Sequence, residues 1–164
     1  MPGWKVKDSV SGDLNKDGRR DLALILEYAD SVVETDANGD RVKSRPRILL
    51  IMFRDSGSNN YSLMVHQNQF ILRAGEVYPS RDSYEGMEID HGVLRINFDF
   101  VRGFQTYKFR WQKGDFYLIG LCIHGQTRIV KKNTGNGRLC LRVQELSCGI
   151  SAEPIAWTSS KFFI

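Results

Sequence analysis

From position 94 to position 100 the chain alternates apolar and polar residues with a period of two. The apolar members of this run are Leu94, Ile96, Phe98 and Phe100, and the polar members are Arg95, Asn97 and Asp99. Successive side chains of a β-strand point to opposite faces, so the pattern predicts a strand with one face in a core and the other in water. Such a strand needs neighbouring strands to pair with its backbone.

The next two segments are predicted to supply those neighbours. After Arg102-Gly103, aromatic and polar residues alternate over 107–112, and after Lys113-Gly114-Asp115 an apolar run covers 116–123. Strand-like runs separated by short glycine-containing turns are typical of hairpins, so the three runs predict an antiparallel meander.

The first half of the chain contains two apolar runs of strand length, 22–28 and 48–53. A short apolar run does not by itself distinguish helix from strand, but its β-rich surroundings favour a strand in both cases. The run 48–53 is uninterrupted, which predicts a central strand that is buried on both faces. Between the two runs, residues 36–40 contain Asn38-Gly39 and predict the tip of a hairpin.

The C-terminal part is predicted to add a hairpin with strands at 127–130 and 139–143 and a turn at 133–137, and residues 162–164 are expected to close the sheet. The whole pattern predicts a mostly β fold with little helix, arranged as an antiparallel meander sheet, a β-sandwich or an open barrel. A chain of 164 residues suits one hydrophobic core, so we expect a single domain over residues 1–164.

The composition argues against two classes of partner. Hydrophobic residues make up 41% and charged residues 26% of the chain, as in an ordinary soluble protein, and no apolar run is long enough to span a bilayer. The net charge of +4 comes from Lys and Arg scattered along the chain. We therefore expect neither a membrane span nor binding to nucleic acid.

The most specific motif lies at 13–21, where oxygen-bearing side chains occupy alternate positions before a glycine. Asp13, Asn15 and Asp17 precede Gly18, and Asp21 follows three residues later. The alternation lets the side chains converge on one hard cation such as calcium, and the glycine permits the sharp turn. The predicted metal ligands are the side chains of Asp13, Asn15, Asp17 and Asp21 and the main-chain carbonyl of Arg19.

Five donors are fewer than the six to eight that calcium takes, so water or a distant residue must complete the site. Lys16, Arg19 and Arg20 partly cancel the charge of the carboxylates, and we expect a Kd on the order of 10⁻⁵ to 10⁻³ M. The strict octahedral demand of magnesium fits the loop less well. The alternative is a polar turn whose Asp and Asn side chains cap backbone amides without a metal.

Residues 12–23 resemble the calcium loop of FG-GAP/VCBS-type repeats in integrin-like propellers and the first half of a dockerin loop. A propeller needs several copies of this loop and the chain has one, while Leu24 stands where dockerin has an acidic residue. With the strand-like run at 114–120, the chain more broadly resembles uncharacterised bacterial periplasmic or lipoprotein-like domains. That resemblance implies an exported single-domain β-protein with metal contacts at the same five residues, and it implies no known reaction.

The three cysteines leave two alternatives. Cys140 and Cys148 enclose a short segment and form the predicted disulfide, whereas Cys122 lies in an apolar run. In the alternative all three are reduced and Cys122 is a small core residue.

These observations predict a non-enzymatic, calcium-binding β-domain that binds a protein or glycan partner. Calcium is millimolar outside the cytosol, so we expect a periplasmic or secreted bacterial protein, although residues 1–6 carry no export signal. Two alternatives stay open. One is a periplasmic immunity or inhibitor protein against a secreted toxin or enzyme, and the other is a hydrolase, for which the sequence contains no nucleophile elbow or zinc-protease motif.

Overall fold

The computed structural model describes residues 2–35, 39–77, 81–101, 103–125, 138–141 and 146–147. Within these ranges there is no helix, hence none that could cross a membrane, and the strands form three antiparallel sheets. The prediction of a mostly β fold is confirmed. The strands are β1 (Trp4–Gly12), β2 (Asp21–Tyr28), β3 (Val32–Thr35), β4 (Arg41–Ser44), β5 (Arg47–Arg54), β6 (Tyr61–Gln67), β7 (Tyr84–Asp90), β8 (Val93–Phe100), β9 (Gly103–Gln112), β10 (Asp115–Gly125), β11 (Arg138–Leu141) and β12 (Leu146–Ser147).

The first sheet has the strand order β1-β2-β5-β6. The apolar runs at 22–28 and 48–53 are its two inner strands. Both were predicted to be strands and the second to be central and buried, and its Leu49, Leu50 and Ile51 are all less than a tenth exposed. Among the described strands, β3 and β4 pair only with each other, and they flank the predicted hairpin tip. Of that tip, Gly39 is described, with a left-handed φ of 89°, while 36–38 lie outside the described residues.

The second sheet has the order β11-β10-β9-β8-β7, and β12 also pairs with β10. Its strands β8, β9 and β10 are the predicted meander. Residues 138–141 of the predicted C-terminal hairpin form β11. The other predicted C-terminal features, at 127–130, 133–137 and 162–164, lie outside the described residues.

Residues of both sheets share one hydrophobic core. The Phe53 ring of β5 packs against Trp111 of β9 and Phe116 of β10, with ring centroids 4.9 and 5.9 Å apart. From the second sheet, Leu94 and Ile96 are completely buried in the same core. The apolar positions of the alternating run therefore face the first sheet, because alternate residues of a strand share a face.

Candidate functional site

Residues 13–20 connect β1 to β2 as a curled loop. Lys16 and Gly18 have left-handed backbone conformations, with φ of 65° and 82°, which bend the chain back on itself. Leu14 is 1% exposed and joins the hydrophobic core, so the loop is fixed to the body of the protein by an apolar side chain in its first turn.

Asp13 and Asn15 direct their side-chain oxygens at the same backbone amide. The Asp17 N–H donates to Asp13 Oδ1 at 3.1 Å and to Asn15 Oδ1 at 3.0 Å. The second carboxylate oxygen of Asp13 accepts a hydrogen bond of 2.9 Å from the Gly18 N–H. Two of the predicted ligands thus lie together on the inner side of the turn.

Asp17 joins the same network. Its Oδ1 accepts a hydrogen bond of 2.8 Å from the Arg19 N–H, and its Oδ2 accepts one of 3.2 Å from Asn15 Nδ2. The bond from the Arg19 amide is the largest influence on the Asp17 carboxyl and, with the bond from Asn15, it holds the pKa of that group below its ordinary value. Asp17 is therefore ionised at neutral pH and lies at the protein surface.

Asp21 has a different environment from the other three side chains. It is the first residue of β2 and is completely buried. Its Oδ2 accepts hydrogen bonds from the Leu14 and Asn15 amides at 2.8 and 3.3 Å, and its Oδ1 accepts one of 3.1 Å from the Arg54 amide at the end of β5. Asp21 therefore holds the loop in shape and ties it to the neighbouring strand.

The five predicted ligands thus lie in the loop and at the first residue of β2. The structure brings only three of their side chains, those of Asp13, Asn15 and Asp17, into one surface network. In the described part of the chain, no group of three or more His, Cys, Asp or Glu side chains is arranged to hold a metal ion. The loop oxygens instead accept hydrogen bonds from backbone amides. Whether they also bind a cation stays a prediction.

A buried charge cluster that was not predicted from the sequence is centred on Arg47. This guanidinium is completely buried at the start of β5. It donates to both Asp82 oxygens at 2.8 and 2.6 Å, to Glu27 Oε2 at 2.8 and 2.5 Å, and to the Leu72 carbonyl at 2.6 Å. Lys7 of β1 adds a contact of 2.9 Å to Asp82.

The ion pairs of this cluster keep Asp82 and Arg47 in their charged forms. Burial alone would raise the pKa of Asp82, but the hydrogen bonds from Arg47 and Lys7 lower it to about 2. Burial would likewise lower the pKa of Arg47, and its bonds to Asp82 and Glu27 raise it instead. Both groups are therefore charged at neutral pH, as expected of a structural clamp rather than of a proton donor.

One sequence signal could have pointed to this cluster. Arg47 directly precedes a run predicted to be buried on both faces, and a charge in such a place requires a partner of opposite sign. The identity of that partner could not be read from the sequence, because Asp82 lies 35 positions further along the chain.

Comparison of the chain with protein-family models, with curated proteins and with solved structures gives no match.

Proposed function

We propose that the protein is a calcium-binding β-domain whose loop 13–21 holds the cation. The observation that carries this proposal is the network in which Asp13, Asn15 and Asp17 meet around the Asp17 amide. Calcium is a hard cation that binds oxygen ligands in preference to sulfur or nitrogen. This tight turn presents three oxygen-bearing side chains, two of which are carboxylates.

The hydrogen bonds within the loop leave capacity for a cation. A carboxylate has about four lone-pair positions, and that of Asp13 uses two of them in the bonds described above. Asp13, Asn15 and Asp17 would supply side-chain oxygens, and Arg19 a main-chain carbonyl. Asp21 accepts three amide bonds and would contribute by anchoring the loop.

The same bonds imply weak binding. Because amides already occupy part of the capacity of these oxygens, the cation has to compete with hydrogen bonds in a turn that is formed without it. The Arg19 guanidinium also lies 3.9 Å from Asp17 Oδ2 and repels a cation. These two features support a Kd in the range of 10⁻⁵ to 10⁻³ M, which suits the millimolar calcium of an exported protein.

Calorimetric titration and thermal melting test the calcium site. Calcium at 100 times its Kd would add about 2.7 kcal/mol to the free energy of unfolding, which raises Tm by about 5–10 °C over that measured in chelator. Asp17→Ala should abolish this shift. Asp30→Ala is the matched control, because Asp30 is an exposed carboxylate outside the loop and should leave the shift intact.

A wild-type protein that gives no heat with millimolar calcium, and the same Tm in calcium and in chelator, would show that the loop is a metal-free polar turn. An equal calcium shift in wild type and in Asp17→Ala would place the cation elsewhere on the chain.

We further propose that the domain acts by binding a protein. Among the described strands, β6 pairs only with β5 and so forms an edge of the first sheet. It contains no Lys, Arg, Asp or Glu, and its Tyr61 and Leu63 are 41% and 57% exposed. A sheet edge without these residues and with exposed apolar side chains supports the addition of a strand from a partner, and that partner would be an enzyme if the chain is an inhibitor.

A pair of substitutions tests this surface. Leu63→Lys should abolish capture of a partner from extracts of the source cell. Val33→Lys places the same charge at a residue that is 53% exposed on β3, away from β6, and should leave capture unchanged. Equal capture by both variants and the wild type would exclude β6 as the binding edge.

A further inference from the structure

Cys122 and Cys140 lie directly opposite each other in the second sheet. Strands β10 and β11 pair antiparallel, with Leu121 opposite Leu141, Cys122 opposite Cys140 and Ile123 opposite Leu139. The two cysteines therefore occupy one register position on neighbouring strands.

This register brings the two Cα atoms to a distance that a disulfide can bridge. Opposed residues of an antiparallel pair have Cα atoms about 4.5–5.5 Å apart, and disulfides span Cα distances of about 4.4–6.8 Å. The spacing of opposed Cα atoms in such a pair therefore lies within the range of a disulfide. We propose that Cys122 and Cys140 form a disulfide that joins β10 to β11.

Cys148, the partner of Cys140 in the predicted disulfide, lies outside the described residues. The described part of β12 ends at Ser147, which lies opposite Tyr117, five positions along β10 from Cys122. Among the described residues, Cys140 is therefore the cysteine that the register brings opposite Cys122.

The bond would form by exchange with a low-molecular-weight disulfide. The thiolate of one cysteine attacks that disulfide and releases one small thiol, leaving a mixed disulfide on the protein. The thiolate of the other cysteine then attacks the protein-bound sulfur and releases the second small thiol. The two cysteines are oxidised, the small disulfide is reduced to two thiols, and the two cysteine protons are taken up by the released thiolates.

Tryptic mapping of the full chain tests this pairing without any substitution. Cleavage after Lys and Arg places Cys122 in peptide 114–128, Cys140 in peptide 139–142 and Cys148 in peptide 143–161. The protein is equilibrated with oxidised glutathione, its remaining thiols are alkylated, and it is digested without reductant. We expect peptides 114–128 and 139–142 to be linked and Cys148 to be alkylated.

Two variants and a melting curve complete the test. Cys148→Ser should retain the linked peptides, and reduction should lower its Tm by about 5–10 °C, because the bond closes a loop in the unfolded chain. Cys122→Ser should show neither the linked peptides nor a lower Tm after reduction. A link between 139–142 and 143–161, or alkylation of all three cysteines after oxidation, would overturn the proposal.

Discussion

The Tyr84 hydroxyl donates a hydrogen bond of 2.5 Å to Asp8 Oδ2, across 76 positions of sequence. Asp8 belongs to β1 of the first sheet and Tyr84 begins β7 of the second, so this bond joins the two sheets where they meet. Burial, followed by the bond to Asp8, raises the pKa of Tyr84 above its ordinary value. The hydroxyl is therefore protonated, and donates, at neutral pH.

Tyr84→Phe should lower the free energy of unfolding by about 1.5–3 kcal/mol, because it removes a hydrogen bond to a charged acceptor and leaves Asp8 without that donor. Urea unfolding at pH 7 measures the change. Tyr61→Phe is the control, because Tyr61 lies on the exposed edge strand β6 and its loss of a hydroxyl should change stability by less than about 0.5 kcal/mol. Equal stability of Tyr84→Phe and the wild type would show that the bond contributes nothing.

Strand β1 packs closely against β7 at Gly12, so we expect any side chain at this position to lower the free energy of unfolding. A Cβ atom there would lie 2.5 Å from Ile89 Cγ2 and 2.9 Å from Ile89 Cβ. Gly12→Ala should therefore cost about 1–3 kcal/mol of unfolding free energy, as expected of overpacking. Gly57→Ala is the control for the substitution itself, because no atom of the described residues lies within 4 Å of the added methyl. The cost at Gly12 should shrink in an Ile89→Ala background, which removes the Cγ2 atom, and a cost that is unchanged there would contradict a clash with that atom.

The buried charge cluster predicts that substitution of Arg47 lowers the stability of the fold much more than substitution of the nearby Arg45. Arg47→Ala should destabilise the fold by about 3–5 kcal/mol, because it leaves Asp82 and Glu27 without their main counter-charge. Arg45→Ala removes a side chain that is 51% exposed and lies 3.8 Å from Glu27, and should cost less than about 1 kcal/mol. Chemical denaturation of both variants at pH 7 measures the difference, and similar losses in the two would contradict the clamp.

The low pKa of Asp82 predicts a specific loss of stability in acid. Its carboxyl has a pKa of about 2 in the folded protein against an ordinary value of 3.8, so its contribution is complete above about pH 4 and is lost as the pH falls towards 2. The side chain is 29% exposed, and allowing for solvent screening we expect a loss of about 1–2 kcal/mol across this window. Unfolding free energies of wild type and Asp82→Asn between pH 7 and pH 2 measure it.

Asp82→Asn should be less stable at pH 7, and the gap between its curve and that of the wild type should narrow below pH 4. Asp30→Asn is again the control and should run parallel to the wild type. If the difference in unfolding free energy between wild type and Asp82→Asn is the same from pH 7 to pH 2, the pKa of Asp82 does not differ between the folded and unfolded protein.

Much of the strand pattern could be predicted from the sequence because it depends on residues next to each other in the chain. The alternating run that ends at Phe100 forms β8, and the two strand-like runs that follow it form β9 and β10, as predicted. The loop at 13–21 could be located for the same reason, since Gly18 and its alternating neighbours determine a turn locally. What its oxygens contact could not be read from spacing alone: Asp21 was predicted to face a cation, and the structure buries it against three backbone amides.

The sequence by itself therefore determined the elements, namely strands with one apolar face and a polar turn between the first two. Tertiary structure alone decided which distant groups meet: Tyr84 with Asp8, Asp82 with Arg47, and Asp21 with the amide of Arg54. It also decided the strand register that sets Cys122 opposite Cys140. The physical reason is that periodicity states which face of a strand is apolar but not which other strand pairs with it or packs against it. Those choices depend on the order of strands in each sheet and on their register.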